Sequence, residues 1–222
     1  MKPAISASLM CADLLNMQRD LDLLAEAAVE YLHFDIMDGR FVPNMMLTPD
    51  FARAVRRGSA IPFDIHLMVE SPERMIPMFD LRPGDVVSVH TESTAHVHRA
   101  LAMVRERGAT AALALNPATA IECAREVLPD VGMVLLMTVN PGFAGQKMVP
   151  QALDKIRRMR AWLDDLGYPG IAIEVDGNCS FENAPRMAAA GADIFVAGSS
   201  SVFDPALGIR GGAQRFRQVC MG

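Results

Sequence analysis

Eight short β-rich apolar runs, each followed by a stretch of helical patterning and recurring roughly every 20–35 residues, predict a single (β/α)8 TIM barrel over residues 1–222. The chain has 222 residues, of which 51% are hydrophobic, enough for one sizeable core near the lower size limit of that fold. An open doubly wound sheet is the competing architecture, but it usually has fewer strands, and no G-x-G-x-x-G follows the first run.

The runs are Ala4–Ser8, Tyr31–Asp35, Phe63–Leu67, Val86–His90, Thr110–Leu115, Met133–Met137, Ala172–Val175 and Ile194–Ala197. After the first, Leu14, Met17, Leu21 and Leu24 recur at helical spacing, with Asp13 placed as an N-cap. Thr94 to Arg107, Pro150 to Leu166 and Phe181 to Ala189 carry the same pattern. Pro49, Pro72 and Pro150 suit helix first turns, and Gly108, Gly167 and Gly191 suit the stops before the next strand. No linker, low-complexity tract or repeat beyond the βα period interrupts this alternation.

Composition excludes several function classes. Lys and Arg number 21 against 26 Asp and Glu, so the basic excess of a nucleic-acid binder is missing. No apolar run reaches the roughly 18 residues of a membrane helix, and the start MKPAISASLMCADLL lacks the apolar core of a signal peptide. The four cysteines, Cys11, Cys123, Cys179 and Cys220, form no C-x-x-C and no zinc-finger spacing, which predicts reduced thiols in a cytoplasmic protein. The three lysines, Lys2, Lys147 and Lys155, lie outside the strand-like runs, so a Schiff-base lysine at a strand end is disfavoured.

In such a barrel the chemistry sits at the C-terminal ends of the strands. The second run ends YLHFDIMDG, placing His33 and Asp35 on one side of a strand; the third ends FDIHLMV with His66, and the seventh IEVDGN with Asp176. Any one of these is read most simply as a hydrogen-bonded buried polar residue. Four at strand ends within apolar runs are costly to bury unpaired, so convergence on one divalent metal is the expectation. Nitrogen and oxygen donors without thiolate suit zinc, iron, manganese or cobalt. His90 ends the fourth run and is a candidate to line the pocket, whereas His96 and His98 read as solvated.

Three Gly-containing segments follow the sixth, seventh and eighth runs: Gly142, Phe143, Ala144 and Gly145; then Gly177 and Asn178; then Gly198, Ser199 and Ser200. Backbone N–H groups in such loops approach an anion closely, a following helix N-terminus adds favourable dipole, and the last two loops occupy the recurrent phosphate site of the fold. Of sixteen methionines, Met37, Met68 and Met137 fall at or just past strand ends, where core packing and a soft pocket lining are both open.

The segments SLMCADLL, HFDIMDGRFVPN, DIHLMV, LLMTVNPGFAGQ, EVDGN and FVAGSSSVF together resemble the ribulose-phosphate 3-epimerase family from about Ser8 to Phe203. Within it, Cys11, Ala144 and the pair Asn178–Cys179 look closest to the D-allulose-6-phosphate 3-epimerases; the pentose-phosphate members tend to read S-x-L-S-A-D, NPGFGGQ and VDGG at these places. The resemblance implies a metal-dependent isomerase, with His33, Asp35, His66 and Asp176 as ligands and Asp35 and Asp176 doubling as acid and base. It implies that Ser8, His66 and the three Gly-containing loops through Ser200 hold substrate and phosphate, and that Met37, Met68 and Met137 line the reacting carbons. The expected reaction is D-allulose 6-phosphate to D-fructose 6-phosphate through an ene-diolate stabilised by the metal as Lewis acid. The alternative is D-ribulose 5-phosphate to D-xylulose 5-phosphate. A homo-oligomer is implied as well. A related phosphate-binding decarboxylase is disfavoured because its D-x-K-x-x-D reads Asp64-Ile-His66 here, and a non-catalytic sugar-phosphate sensor because both acids are present.

Overall fold

The computed structural model describes residues 3–221, which leaves Lys2 and both chain ends outside the described residues. Eight parallel strands close into a barrel: β1 (Ala4–Ser8), β2 (Tyr31–Asp38), β4 (Phe63–Met68), β5 (Val86–His90), β6 (Thr110–Leu115), β7 (Met133–Met137), β8 (Ala172–Asp176) and β9 (Ile194–Ala197). Each pairs with the next in the chain, and β1 pairs with both β9 and β2, so no edge is left open. A two-residue strand β3 (Met45–Met46) folds back antiparallel onto Met37 and Asp38 of β2. The helices are α1 (Met17–Glu26), α2 (Pro49–Gly58), α3 (Val97–Arg105), α4 (Ala152–Asp165), α5 (Asn183–Ala189) and α6 (Gly208–Met221).

The pleat sorts each strand into two faces. Leu32, Phe34 and Ile36 of β2, with Ile65 and Leu67 of β4 and Val87 and Val89 of β5, join the buried cluster that packs against the helices. The alternate residues point into the barrel. At the N-terminal end of the strands Val86, Ala112, Met133 and Ile194 form an apolar plug. Further along, the interior is polar: Ser6, Ser8, His33, Asp35, Asp64, His66, His90 and Glu174 are all buried. Most barrels of this kind fill these layers with branched apolar side chains, and here the filling is polar.

The expected strands are present, with β2, β4 and β8 running one to three residues further; the helical stretches differ more. Helix α1 starts at Met17 with Asn16 at its N-cap position, not Asp13. Asp13 instead accepts from the Leu15 N–H (3.1 Å) and Asn16 Nδ2 (2.8 Å), making a turn that leaves Leu14 outside the helix. Helix α3 starts at Val97 because the Thr94 hydroxyl accepts from the His96 N–H (3.0 Å) ahead of it. Pro150 lies in the turn before α4 rather than in its first turn. Thr48 caps α2 through the Phe51 N–H (3.2 Å), with Pro49 following as expected. After β4 only two short 3-10 turns form (Pro72–Arg74 and Ile76–Met78), and after β6 a 3-10 stretch, Ile121–Asp130, holds Pro129 inside it. Prolines within these segments remove the donors a longer α-helix needs. Among the described residues, no helix is long and apolar enough to cross a membrane.

Candidate active site

Strand register brings the acids and imidazoles together. His33 pairs with Asp64 across β2 and β4, and Asp35 with His66, so adjacent strands present an imidazole and a carboxylate at each of two successive levels. From β8, Asp176 enters at the upper level. One donor atom each from His33, Asp35, His66 and Asp176 lies within 4.8 Å of the others. His33 Nε2 is 3.3 Å from Asp35 Oδ1. His66 Nδ1 is 3.6 Å from the same oxygen and 3.5 Å from Asp176 Oδ2.

The remaining atoms of these side chains are tied down. Asp35 Oδ2 accepts from the Ser8 hydroxyl at 2.9 Å. His33 Nδ1 lies 2.6 Å from Asp64 Oδ2, which also accepts from the Ser6 hydroxyl at 2.6 Å. A carboxylate there makes Nδ1 the protonated nitrogen of the neutral ring and presents Nε2 to the cluster. Below, Asp64 Oδ1 and both oxygens of Glu174 meet no donor from another residue. Burial, followed by the charge of Asp64 and a hydrogen bond to it, pushes Glu174 well above the usual carboxyl range. His33, Asp64 and Glu174 form a second grouping of close donor atoms, wholly buried beneath the first. Sequence reasoning missed Asp64, Glu174 and Ser6 as members of the site.

Burial works against charge throughout, and the pairing overcomes it. Asp35 is held far below its ordinary value by His33 and His66. His33 is raised by Asp64 and Asp35, and His66 by its bonds to Asp176 and Asp35. The pocket therefore favours positive charge at its centre, either as protons on the imidazoles or as a cation in their place. The residues fit a cation: His33 Nε2 and His66 Nδ1 are buried without hydrogen-bond partners and both face carboxylate oxygen. Ligands at about 2.0–2.2 Å from one ion stand no more than about 4.4 Å apart, close to the spread seen here. Of the cysteines, Cys11 and Cys179 both line the pocket wall, and Cys179 turns its thiol to the Val175 carbonyl, 3.5 Å away.

Above the cluster a cleft opens at the C-terminal ends of the strands. Met37, Met68 and Met137 line it, and Met37 pairs in register with Met68. Ser8, Asp35, Asp176 and all three Gly-containing loops (Gly142 to Gly145, Gly177 and Asn178, Gly198 to Ser200) line it too. His66 lies beneath this surface, and so does His90: its Nε2 is 2.8 Å from His66 Nε2, behind that ring rather than on the cleft wall. Burial pushes the His90 imidazole down to about 4. His96 and His98 are exposed. No helix N-terminus follows Gly198–Ser200 directly, since α6 begins only at Gly208 and the intervening N–H groups of Ser201 and Phe203 turn onto the Gly198 carbonyl. The dipole expected there is absent, and the loop itself supplies the curvature.

Thr138 and Asn44, which the sequence did not single out, brace the rim. The Thr138 N–H donates to the Asp176 carbonyl (2.7 Å), and its hydroxyl donates to Asp176 O (2.9 Å) and Gly177 O. Asn44 Nδ2 donates to Gly142 O (2.8 Å), linking the β2–β3 turn to the loop after β7. Gly177 has φ +118°, and a Cβ on it would stand 2.6 Å from Val139 Cγ2.

The profile described as "Ribulose-phosphate 3 epimerase family" matches residues 4–203. The ribulose-phosphate 3-epimerase of Bacillus subtilis (strain 168) is 39% identical over 196 residues, 88% of this chain and 90% of that one. That of Escherichia coli (strain K12) is 39% identical over 201 residues, 90% and 88% of the two chains. Ribulose-phosphate 3-epimerase 2 of Cupriavidus necator is 37% identical over 220 residues, 97% and 91%. Among solved structures, KGPDC of Streptococcus mutans superposes with a TM-score of 0.71 at 10% identity, covering 100% of this chain and 98% of that one, a likeness of fold alone.

Proposed function

This chain belongs to the ribulose-phosphate 3-epimerase family, and from that premise we propose that it interconverts D-ribulose 5-phosphate and D-xylulose 5-phosphate at the cluster of His33, Asp35, His66 and Asp176. That the chain is an epimerase, hence an isomerase acting on a sugar phosphate, follows from the family and its relatives. The observation that carries the site is the pair of carboxylates, Asp35 from β2 and Asp176 from β8, facing one cleft beside two buried imidazole nitrogens that have no hydrogen-bond partner. The hexose phosphate expected from the sequence is less well supported, because the relatives at 37–39% identity are named for the pentose substrate.

Inverting C3 of a 2-ketose requires loss of its proton from one face and return of a proton to the other. Asp35 and Asp176 reach the cleft from different walls, so one takes the C3 proton while the other supplies one, and the roles exchange with direction. Between the two transfers the carbon skeleton is a planar ene-diolate, over which the methionines provide an apolar, water-poor ceiling. His33, Asp35, His66 and Asp176 would hold a divalent cation, which when bound supplies Lewis-acid stabilisation of negative charge on the C2 oxygen. Ser8 keeps one oxygen of Asp35 occupied and leaves the other to the cluster. The Gly142–Gly145, Gly177–Asn178 and Gly198–Ser200 loops offer the phosphate their backbone N–H groups, anchoring the far end so that C3 is positioned.

The test is solvent deuterium incorporation at C3 together with kcat/KM for both ketose phosphates on one metal-analysed sample. A higher kcat/KM for D-ribulose 5-phosphate is expected. The second reading, D-allulose 6-phosphate, is favoured by Cys11, Ala144 and Asn178, all on the cleft wall, and a preference for that sugar would replace the first. The reading extends to self-association: Leu15, 95% exposed, and Leu14, 50% exposed, stand in the turn ahead of α1 and are apolar surface that a second copy would cover. Sedimentation of the wild type against Leu15→Ser checks it, with a smaller species expected for the variant.

A further inference from the structure

We propose that His90 and Glu92 are positioning residues for His66, forming a two-step hydrogen-bond relay that fixes which nitrogen of His66 faces the cluster. The proposal rests on the reading that the cluster holds a divalent cation. His66 Nδ1 faces Asp35 and Asp176 and has no hydrogen-bond partner. Its other nitrogen, Nε2, is 2.8 Å from His90 Nε2. Two neutral ring nitrogens at that distance share one proton, so one donates and the other accepts. His90 Nδ1 in turn lies 3.1 Å from Glu92 Oε2.

With a cation between His66 Nδ1 and the carboxylates, one arrangement satisfies every atom. With the proton of His90 on Nδ1, it donates to Glu92, and His90 Nε2 is bare to accept from His66 Nε2–H. His66 Nδ1 is then left with its lone pair toward the cluster. In the reverse arrangement the bare Nδ1 of His90 would face a carboxylate, lone pair against negative charge, and His66 Nδ1 would carry a proton where a ligand atom is needed. Glu92 thus selects the tautomer of a side chain two residues away in the relay. It is itself fixed by the Asn116 N–H (2.9 Å) and the Thr119 hydroxyl. His90 is held between Phe41, ring centroids 4.8 Å apart, and His66, stacked at 5.0 Å. The two imidazoles of the cluster are therefore oriented differently: His33 by Asp64 directly, through Nδ1, and His66 by a carboxylate acting through a second imidazole, through Nε2. Partners of this kind commonly contribute about 10–100-fold to metal affinity.

The experiment is Co2+ affinity of the full-length chain by chelator competition, with 15N NMR of the metal-free protein to read the His66 tautomer. Wild type is expected to show His66 protonated at Nε2. Glu92→Ala is expected to weaken Co2+ binding about 10-fold and His90→Phe about 10–100-fold, with His66 in Glu92→Ala shifting toward the Nδ1–H form. Glu92→Gln, whose amide oxygen can still accept from His90 Nδ1–H but whose amide nitrogen then faces the Asn116 N–H, is expected to bind Co2+ more tightly than Glu92→Ala and less tightly than wild type. Thr119→Val, which removes a brace of Glu92 but no link of the relay, is expected to bind as wild type. Should His90→Phe fail to fold, the Glu92 variants decide alone. Wild-type Co2+ affinity and an unchanged His66 tautomer in Glu92→Ala would overturn the relay and leave the cation site standing. Failure of the wild type itself to bind Co2+ would overturn the site reading and the relay with it.

Discussion

At the scale of single residues, the two acids and two histidines of the cluster have unequal surroundings. Asp35 is buried and held far below its ordinary value by His33 and His66, while Asp176 keeps 16% of its side chain exposed at the rim. Asp35→Asn and Asp176→Asn are each expected to lower kcat by about 10²–10⁴ from lost acid–base work alone, with C3 deuterium incorporation falling in parallel; full turnover in either variant would remove the two-acid scheme. Glu92 gives a stability prediction with a definite sign. Burial opposes its ionisation, but bonds from His90, Thr119 and the Asn116 N–H bring it down to about 2 from 4.5. The native state thus binds fewer protons than the unfolded chain in that window, so the contribution is present above 4.5 and lost as pH falls toward 2. The difference in urea midpoint between wild type and Glu92→Gln is expected to narrow from about pH 5 to about pH 3, and a constant difference would mean that the pairing adds nothing. His33, Asp35, His66 and Asp176 were legible in the sequence because each is a polar residue within an apolar run, at a place where the fold puts chemistry. Asp64 and Glu174 obeyed the same rule one pleat earlier: His33-x-Asp35, Asp64-x-His66 and Glu174-x-Asp176 are one pattern repeated on three strands. Reading the inward face as a column, rather than its last residue alone, was the signal that would have found them.

At the scale of elements, strands were easier to read than helices, and the reason is physical. A strand buried on both faces must be a short, nearly continuous apolar run, as in the wholly buried Met133–Met137. The segments outside the barrel are constrained by one face only, and local hydrogen bonds decide where they start. The Asp13 turn displaces α1 to Met17, and Pro129 accompanies a 3-10 stretch after β6 where helical spacing alone predicts a helix. The small strand β3 carries no periodicity at two residues; pairing with β2 and the Asn44–Gly142 bond make it. The loop after β8 shows how an element end holds chemistry. Gly177 sits at φ +118° under Val139 and Thr138, and a Cβ would come within 2.9 Å of three of their atoms. Gly177→Ala therefore has to push this loop away from β7, carrying Asp176 with it. The expected result is a loss of about 10² in kcat with the far-UV circular dichroism unchanged, since the barrel's own pairings are untouched. Wild-type activity in that variant would show that the loop tolerates displacement and that Asp176 is not placed by it.

At the scale of the whole molecule, the cluster joins parts of the barrel that are distant in the chain. His33 and Asp35 come from β2, His66 from β4 and Asp176 from β8, on either side of the β1–β9 pairing that closes the cylinder. The interior at this level carries buried acids and imidazoles where apolar packing would otherwise stabilise the fold, so like charges and lone pairs face one another unless protons on the imidazoles or a cation lie between them. A cation bound only by the closed barrel stabilises it by mass action, by about 2.7 kcal/mol at a free concentration 100 times its Kd. For a chain of this length that corresponds to roughly 5–10 °C in Tm. Exhaustive chelation is therefore expected to lower Tm by about that amount, with restoration on adding back Zn2+, Mn2+ or Co2+. The same treatment of Asp35→Asn should produce a smaller change, because one ligand is already weakened. A wild-type Tm indifferent to both chelator and added cation would mean that the four side chains hold no ion, and that protons on the imidazoles balance the acids by themselves.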